Sequence, residues 1–203
     1  MFRLPNAITI SRILLVPVFA IAFVLPGDGW RITAFLTFCV AGLSDALDGL
    51  AARKLNAGSD FGRMLDPIAD KILVAVALMM LVAEGNVQEF NLEPNLRSLL
   101  RLVPALVILT REILVSGLRE FLAGAAVSIP VTALAKLKTT IQMIAIGALI
   151  LEPVAAGNLP QVLGVSYALA AYIGLWIAAG LTVFTGYVYF RAGLKHIKRG
   201  IKP

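Results

Sequence analysis

Six long apolar runs, broken only by short segments rich in glycine, proline and charge, dictate what this chain can become. They cover residues 8–25, 32–55, 62–83, 98–122, 131–151 and 164–190, each near the roughly 20 residues that a helix needs to cross about 30 Å of hydrocarbon. Composition agrees. Charged residues make up 15% of the 203 and hydrophobic ones 59%, whereas a soluble domain carries about 25% charged residues. The expected fold class is therefore all-α integral membrane, a six-transmembrane-helix bundle in one domain over residues 1–203. The first run is read as a retained helix, because Val24-Leu25-Pro26-Gly27 is not a small-x-small cleavage site.

Charge sets the expected sidedness. Arg3, Arg12, Arg53, Lys54, Arg63, Arg119, Lys136, Lys138, Arg191 and the basic residues of the tail fall at one set of run ends. Arg31, Arg97 and Arg101 fall at the other, with Asp28, Glu84, Glu89, Glu93 and Glu152. By the positive-inside rule both termini are cytoplasmic, as an even number of crossings requires. The net charge of +6 is then a cytoplasmic-face signal and not a nucleic-acid footprint. The expected location is a bacterial inner membrane, among membrane lipids.

The chemistry is narrowed by what is scarce. Cys39, inside an apolar run, is the only cysteine and His196, in the basic tail, the only histidine, so no disulfide within the chain and no Cys/His zinc site can form, and neither residue is placed for thiol–imidazole chemistry. Acid–base work falls to Asp, Glu, Lys or Tyr.

Four aspartates intrude into the second and third runs, at Asp45, Asp48, Asp66 and Asp70. Each would cost about 2.5 to 3.5 kcal/mol at mid-membrane and less near the interface. At about 100° per residue, Asp45 and Asp48 are about 60° apart on a helix, and Asp66 and Asp70 about 40°. Each pair thus shares a face, and the short connection makes the two helices antiparallel neighbours. Four oxygen donors without sulfur or imidazole suit two hard divalent cations, Mg²⁺ or Mn²⁺, whose four positive charges would balance the cluster. Gly49, Ala52 and Gly62 lie at helical spacing from the acids and leave room for a ligand, and Arg53 can hold a phosphate. The alternative is that the small residues only pack helices and that the aspartates pair with Arg53, Lys54, Arg63 and Lys71.

A second polar set lies in the fourth and fifth runs. Arg111 and Arg119 are about two turns, about 12 Å, apart on nearly one face, and with Lys138 they can form a cationic pocket for an anionic acceptor. Internal pairs, Arg111 with Glu120 or Arg119 with Glu112, fit the charges equally well.

The spacing Asp45-x2-Asp48-Gly49-x2-Ala52-Arg53-x8-Gly62-x3-Asp66-x3-Asp70 resembles the signature of the CDP-alcohol phosphatidyltransferases, membrane enzymes of phospholipid synthesis. The resemblance implies six transmembrane helices, often in a homodimer, and a two-metal site opening to the cytoplasmic interface. It makes Asp45, Asp48, Asp66 and Asp70 the metal ligands, with Asp70 doubling as general base. It assigns Asn6, Thr9, Gly49, Ala52, Arg53, Ser59 and Gly62 to CDP-diacylglycerol, the N-terminal segment Asn6-x2-Thr9-x2-Arg12 contributing to that pocket, although Pro5-Asn6 is also ordinary helix-capping material.

The strings from Arg111 to Glu120 and from Lys136 to Met143 look like the branch of the family that uses glycerol 3-phosphate, not its serine- or inositol-using relatives. The implied reaction is CDP-diacylglycerol plus sn-glycerol 3-phosphate giving phosphatidylglycerophosphate and CMP. Arg111, Arg119, Lys136 and Lys138 would bind the acceptor phosphate. Competing readings are a relative that uses another alcohol (phosphatidylglycerol, serine or inositol phosphate) and, in a different class, a divalent-cation transporter, since intramembrane aspartates also mark ion paths.

Overall fold

The structure, a computed structural model, describes residues 4–55, 60–84, 94–124 and 133–198, with side chains described at 10–44, 65, 68–69, 71–84, 99–124 and 133–194. Among the described residues all regular structure is helical: α1 Leu4–Val24, α2 Asp28–Leu55, α3 Asp60–Ala83, α4 Pro94–Gly124, α5 Ala133–Asn158 and α6 Gln161–Lys198. Each predicted run falls on one of these helices. The helix α5, and the stretch Gln161–Leu194 of α6, are each long and apolar enough to cross a membrane.

The chain divides into two compact units. The first comprises Met1–Gly85 and Ile146–Leu169. Its helices α1 and α2 are joined by a tight turn at Leu25-Pro26-Gly27. Proline cannot continue the backbone hydrogen bonding there, and Gly27 takes φ 108°, a left-handed conformation that glycine alone adopts easily. Asp28 then opens α2, where a carboxylate suits the helix dipole. Phe19, buried on α1, meets Phe23 at 5.7 Å and Phe38 of α2 at 6.1 Å between ring centroids. The helix α1 packs against both α2 and α3, and α2 also meets α3. Leu73, Ala77, Leu78 and Leu81 give α3 a buried stripe at helical spacing.

Arg31 locks the end of this unit. Its Nε donates to the Ile150 carbonyl at 2.6 Å, its Nη1 to the Phe23 carbonyl at 3.2 Å, and its Nη2 to Glu84. The guanidinium also lies 3.8 Å from the centre of the Phe23 ring. One buried cation thereby satisfies a carbonyl in the last turn of α1, one within α5, and the carboxylate just past α3. Expected from the sequence as a charge at the outer helix ends, Arg31 ties α2 to α1, to α5 and to the end of α3.

The second unit comprises Asn86–Ala145 and Ala170–Pro203. Ile108, Val115 and Leu122 of α4 and Leu175 and Ala178 of α6 are buried. Small residues set close approaches: a Cβ added at Gly174 would lie 3.3 Å from the Ala145 Cβ, and one at Gly193 would lie 3.0 Å from Leu118. Arg101 donates to the Tyr172 hydroxyl at 2.6 Å, so a buried cation again ties two helices. Elsewhere the exterior is apolar, with Leu14, Ile21, Ile113, Leu114, Ile144, Val162 and Phe190 exposed. Such a surface suits lipid and not water.

Candidate active site

In the first unit, the motif occupies the end of α2 and the start of α3. Asp45, Asp48, Gly49, Ala52 and Arg53 lie within α2, and Gly62, Asp66 and Asp70 within α3. The helical backbone gives the i, i+3 and i, i+4 spacings their meaning, and the two helices are in contact. The side chains of these residues, and those of Asn6 and Thr9 on α1, lie outside the described set; Ser59 lies outside the described residues.

What the structure does describe is the footing of the motif. Arg12 of α1 is 1% exposed, and its Nε donates to Ser44 Oγ at 3.2 Å. Ser44 immediately precedes Asp45, and its hydroxyl also donates to the Ala41 carbonyl at 2.8 Å. On α3, Ala69, the residue before Asp70, is fully buried, and Leu73 lies one turn further on. The sequence marked Arg12 only as a cytoplasmic charge and as part of the N-terminal segment. Its burial makes it the anchor of α1 to the turn of α2 that precedes the first aspartate. As a donor set, four carboxylates on two contacting helices fit hard divalent cations.

In the second unit, the cationic residues divide into a buried lysine with a half-buried arginine, and an exposed rim. Lys138 of α5 is buried and paired with the Glu112 carboxylate of α4. Arg111 has its Nη1 3.6 Å from the same carboxylate. Among the described residues these two cations share one anion, in a part-buried place where charge is weakly screened. The internal pairs weighed from the sequence are replaced by this arrangement: Glu112 is held by Lys138 and Arg111, because α5 brings the ammonium to it across 26 residues of chain. Arg119 and Lys136 are exposed, and Arg119 lies within electrostatic range of Arg111.

Helix α6 seats Arg111, a role that sequence reasoning missed. The Arg111 Nη2 donates to Thr185 Oγ1 at 3.2 Å, and its guanidinium lies 5.7 Å from the Tyr189 ring centre. Between them, Gly186 brings backbone against the arginine stem: a Cβ there would lie 2.9 Å from Arg111 Cγ. The visible signal was a polar and small set, Thr182-x2-Thr185-Gly186-x2-Tyr189, recurring on one face of an apolar run. The Arg111 Nε is buried and has no hydrogen-bond partner among the described residues. A buried guanidinium donor left open in this way suits an anionic ligand.

Comparison with known proteins places the whole chain. The model of the family described as CDP-alcohol phosphatidyltransferase matches residues 2–184. A Rickettsia felis protein named CDP-diacylglycerol–glycerol-3-phosphate 3-phosphatidyltransferase is 44% identical over 194 residues, covering 96% of this chain and 97% of the relative. Proteins of the same name from Bacillus subtilis, 38% identical over 98% of each chain, and from Pseudomonas fluorescens, 39% identical over 97% of this chain and 92% of the relative, are similarly close. With two helices of spanning length, the match marks this as a membrane protein. The chain belongs to the CDP-alcohol phosphatidyltransferase family.

Proposed function

We propose that this protein transfers the phosphatidyl group of CDP-diacylglycerol to sn-glycerol 3-phosphate, releasing CMP and forming phosphatidylglycerophosphate. The observation that carries the choice of acceptor is the part-buried Arg111–Glu112–Lys138 cluster, two cations to one anion among the described residues, with an open guanidinium donor at Arg111 Nε. The near full-length relatives of that name support the same reaction. The chain acts as one domain of six membrane-spanning helices, with both termini and the site at the cytoplasmic face of a bacterial inner membrane, and it works as a homodimer.

Within this reading Arg53, with Asn6, Thr9, Gly49, Ala52, Ser59 and Gly62, receives the CDP portion of the lipid. Arg111 and Lys138 hold the acceptor phosphate, and Arg119 and Lys136 draw it in from the exposed side. Asp70 takes the proton of the acceptor's primary hydroxyl. The freed oxygen forms a bond to the lipid-side phosphorus, the bond from that phosphorus to the CMP oxygen breaks, and CMP leaves with the electron pair. Family members are generally dependent on divalent metals, and Asp45, Asp48, Asp66 and Asp70 would hold two ions, Mg²⁺ or Mn²⁺. When bound, such ions neutralise pyrophosphate charge and fix an in-line approach.

The test is CMP release by purified protein across candidate alcohols, with and without chelator. Release with sn-glycerol 3-phosphate alone, abolished by chelator and restored by Mg²⁺ or Mn²⁺, is expected. Release with serine, inositol phosphate or phosphatidylglycerol in its place would overturn the acceptor assignment, and metal flux into liposomes without CMP release would overturn the enzyme reading.

A further inference from the structure

Two buried side chains in the second unit carry oxygens that the fold leaves unused. Gln142 of α5 is 2% exposed and Thr182 of α6 is fully buried, yet Gln142 Oε1 and Thr182 Oγ1 have no hydrogen-bond partner among the described residues. Buried polar atoms are ordinarily satisfied, so each open one asks for a reason. The contrast with other helical hydroxyls is direct. Those of Thr33, Thr37, Thr139, Thr140, Ser166 and Thr185 all donate to the carbonyl one turn back, while the Thr182 hydroxyl does not.

Their positions relate them to the cationic cluster. Gln142 follows Lys138 by four residues on α5, on the same face and about 6 Å along the axis. Thr182 precedes Thr185, the partner of Arg111, by three on α6, and its carbonyl accepts a hydrogen bond from the Thr185 hydroxyl at 3.2 Å. One helical turn is close to the reach from the phosphate to the middle hydroxyl of a three-carbon polyol phosphate. The cluster supplies charge for the phosphate, and the two open oxygens supply uncharged hydrogen-bonding groups one turn away. An amide and a hydroxyl suit an alcohol group, not a second anion.

We infer that Gln142, assisted by Thr182, is a specificity-determining residue that binds the C2 hydroxyl of the acceptor, the one that does not react. This rests on the proposed acceptor, sn-glycerol 3-phosphate, and deepens it. A site that must hydrogen-bond a substrate hydroxyl rejects an analogue lacking it, because its own polar atoms stay buried and open.

The experiment compares sn-glycerol 3-phosphate with 3-hydroxypropyl phosphate, which keeps the primary hydroxyl and the phosphate but lacks the C2 hydroxyl. CMP release from CDP-diacylglycerol is measured in the full-length protein and in Gln142→Leu and Thr182→Val. The unsubstituted enzyme should favour sn-glycerol 3-phosphate in kcat/KM by about 10- to 100-fold. In Gln142→Leu the preference should shrink to within about threefold, through loss with the natural acceptor and retention with the analogue; Thr182→Val should shrink it part of the way. The quantity is a ratio within one preparation, so partial misfolding cancels. If the leucine variant is inactive with both acceptors, the nearly isosteric Gln142→Met is read by the same ratio. An unchanged preference in the variants, or equal use of both acceptors by the unsubstituted enzyme, overturns the inference. No CMP release with sn-glycerol 3-phosphate in the unsubstituted enzyme would instead overturn the acceptor assignment beneath it.

Discussion

Gly186 on α6 and Arg111 on α4 approach so closely that a single methyl group on the glycine would lie 2.9 Å from the arginine Cγ. The contact is to the stem of the side chain and not to its mobile tip, so any substitution there moves the whole guanidinium. Gly186→Ala should therefore raise KM for sn-glycerol 3-phosphate by about tenfold while leaving KM for CDP-diacylglycerol unchanged. Separate titration of the two substrates reads the difference, and an equal rise in both would mean that the helix pair had been disturbed as a whole.

Lys138 and Arg119 carry the same charge but differ in burial. Lys138→Ala leaves the Glu112 carboxylate to Arg111, 3.6 Å away, and draws that arginine's charge away from a ligand. We expect kcat/KM for the acceptor to fall by about 100-fold or more. Arg119→Ala removes an exposed charge and should cost about threefold to tenfold, diminishing as salt is raised. Initial rates at two ionic strengths separate the two.

Asp66→Asn and Asp70→Asn keep size and polarity but remove charge. Each should reduce CMP release by about a thousandfold or more. Activity retained by Asp70→Asn would remove that residue as the base.

Arg31→Leu tests a purely structural tie. It removes the hydrogen bonds to the Phe23 and Ile150 carbonyls and the ion pair with Glu84 at once, and should lower stability in detergent by about 2 to 4 kcal/mol. Thermal unfolding followed by circular dichroism measures it. The KM values of the enzyme that remains folded should be unchanged.

How much of this could be read from the chain depends on whether the information was local. Asp45, Asp48, Asp66 and Asp70 announce themselves because a helix converts spacing into a shared face, and charge inside an apolar run demands an explanation. The six helices followed from the apolar runs for the same reason, although α6, Gln161–Lys198, extends beyond the expected 164–190 at both ends. Partner choice was not legible. Glu112 has arginines at −1 and +7 on its own helix, yet it is shared between the first of these and a lysine from α5, since distance across the fold and not along the sequence decides. Arg12 and Arg31 were counted as charges at helix ends, but both are buried, because a guanidinium can satisfy several carbonyl or hydroxyl oxygens at once. Thr185 and Gly186 were hidden by their ordinariness, glycine and threonine being common in membrane helices.

The Arg31 tie also imposes an order on biogenesis. Its contact with the Ile150 carbonyl spans 119 residues, so the ribosome must deliver more than half of the polypeptide before that donor finds its acceptor. Until then the early hairpin of α1 and α2 resides in the bilayer with its latch half made, and a nascent chain halted before α5 would hold Arg31 by Phe23 and Glu84 while its Nε still lacked the Ile150 carbonyl. Closure of the N-terminal unit is thus timed by the synthesis of a helix that lies far downstream of it.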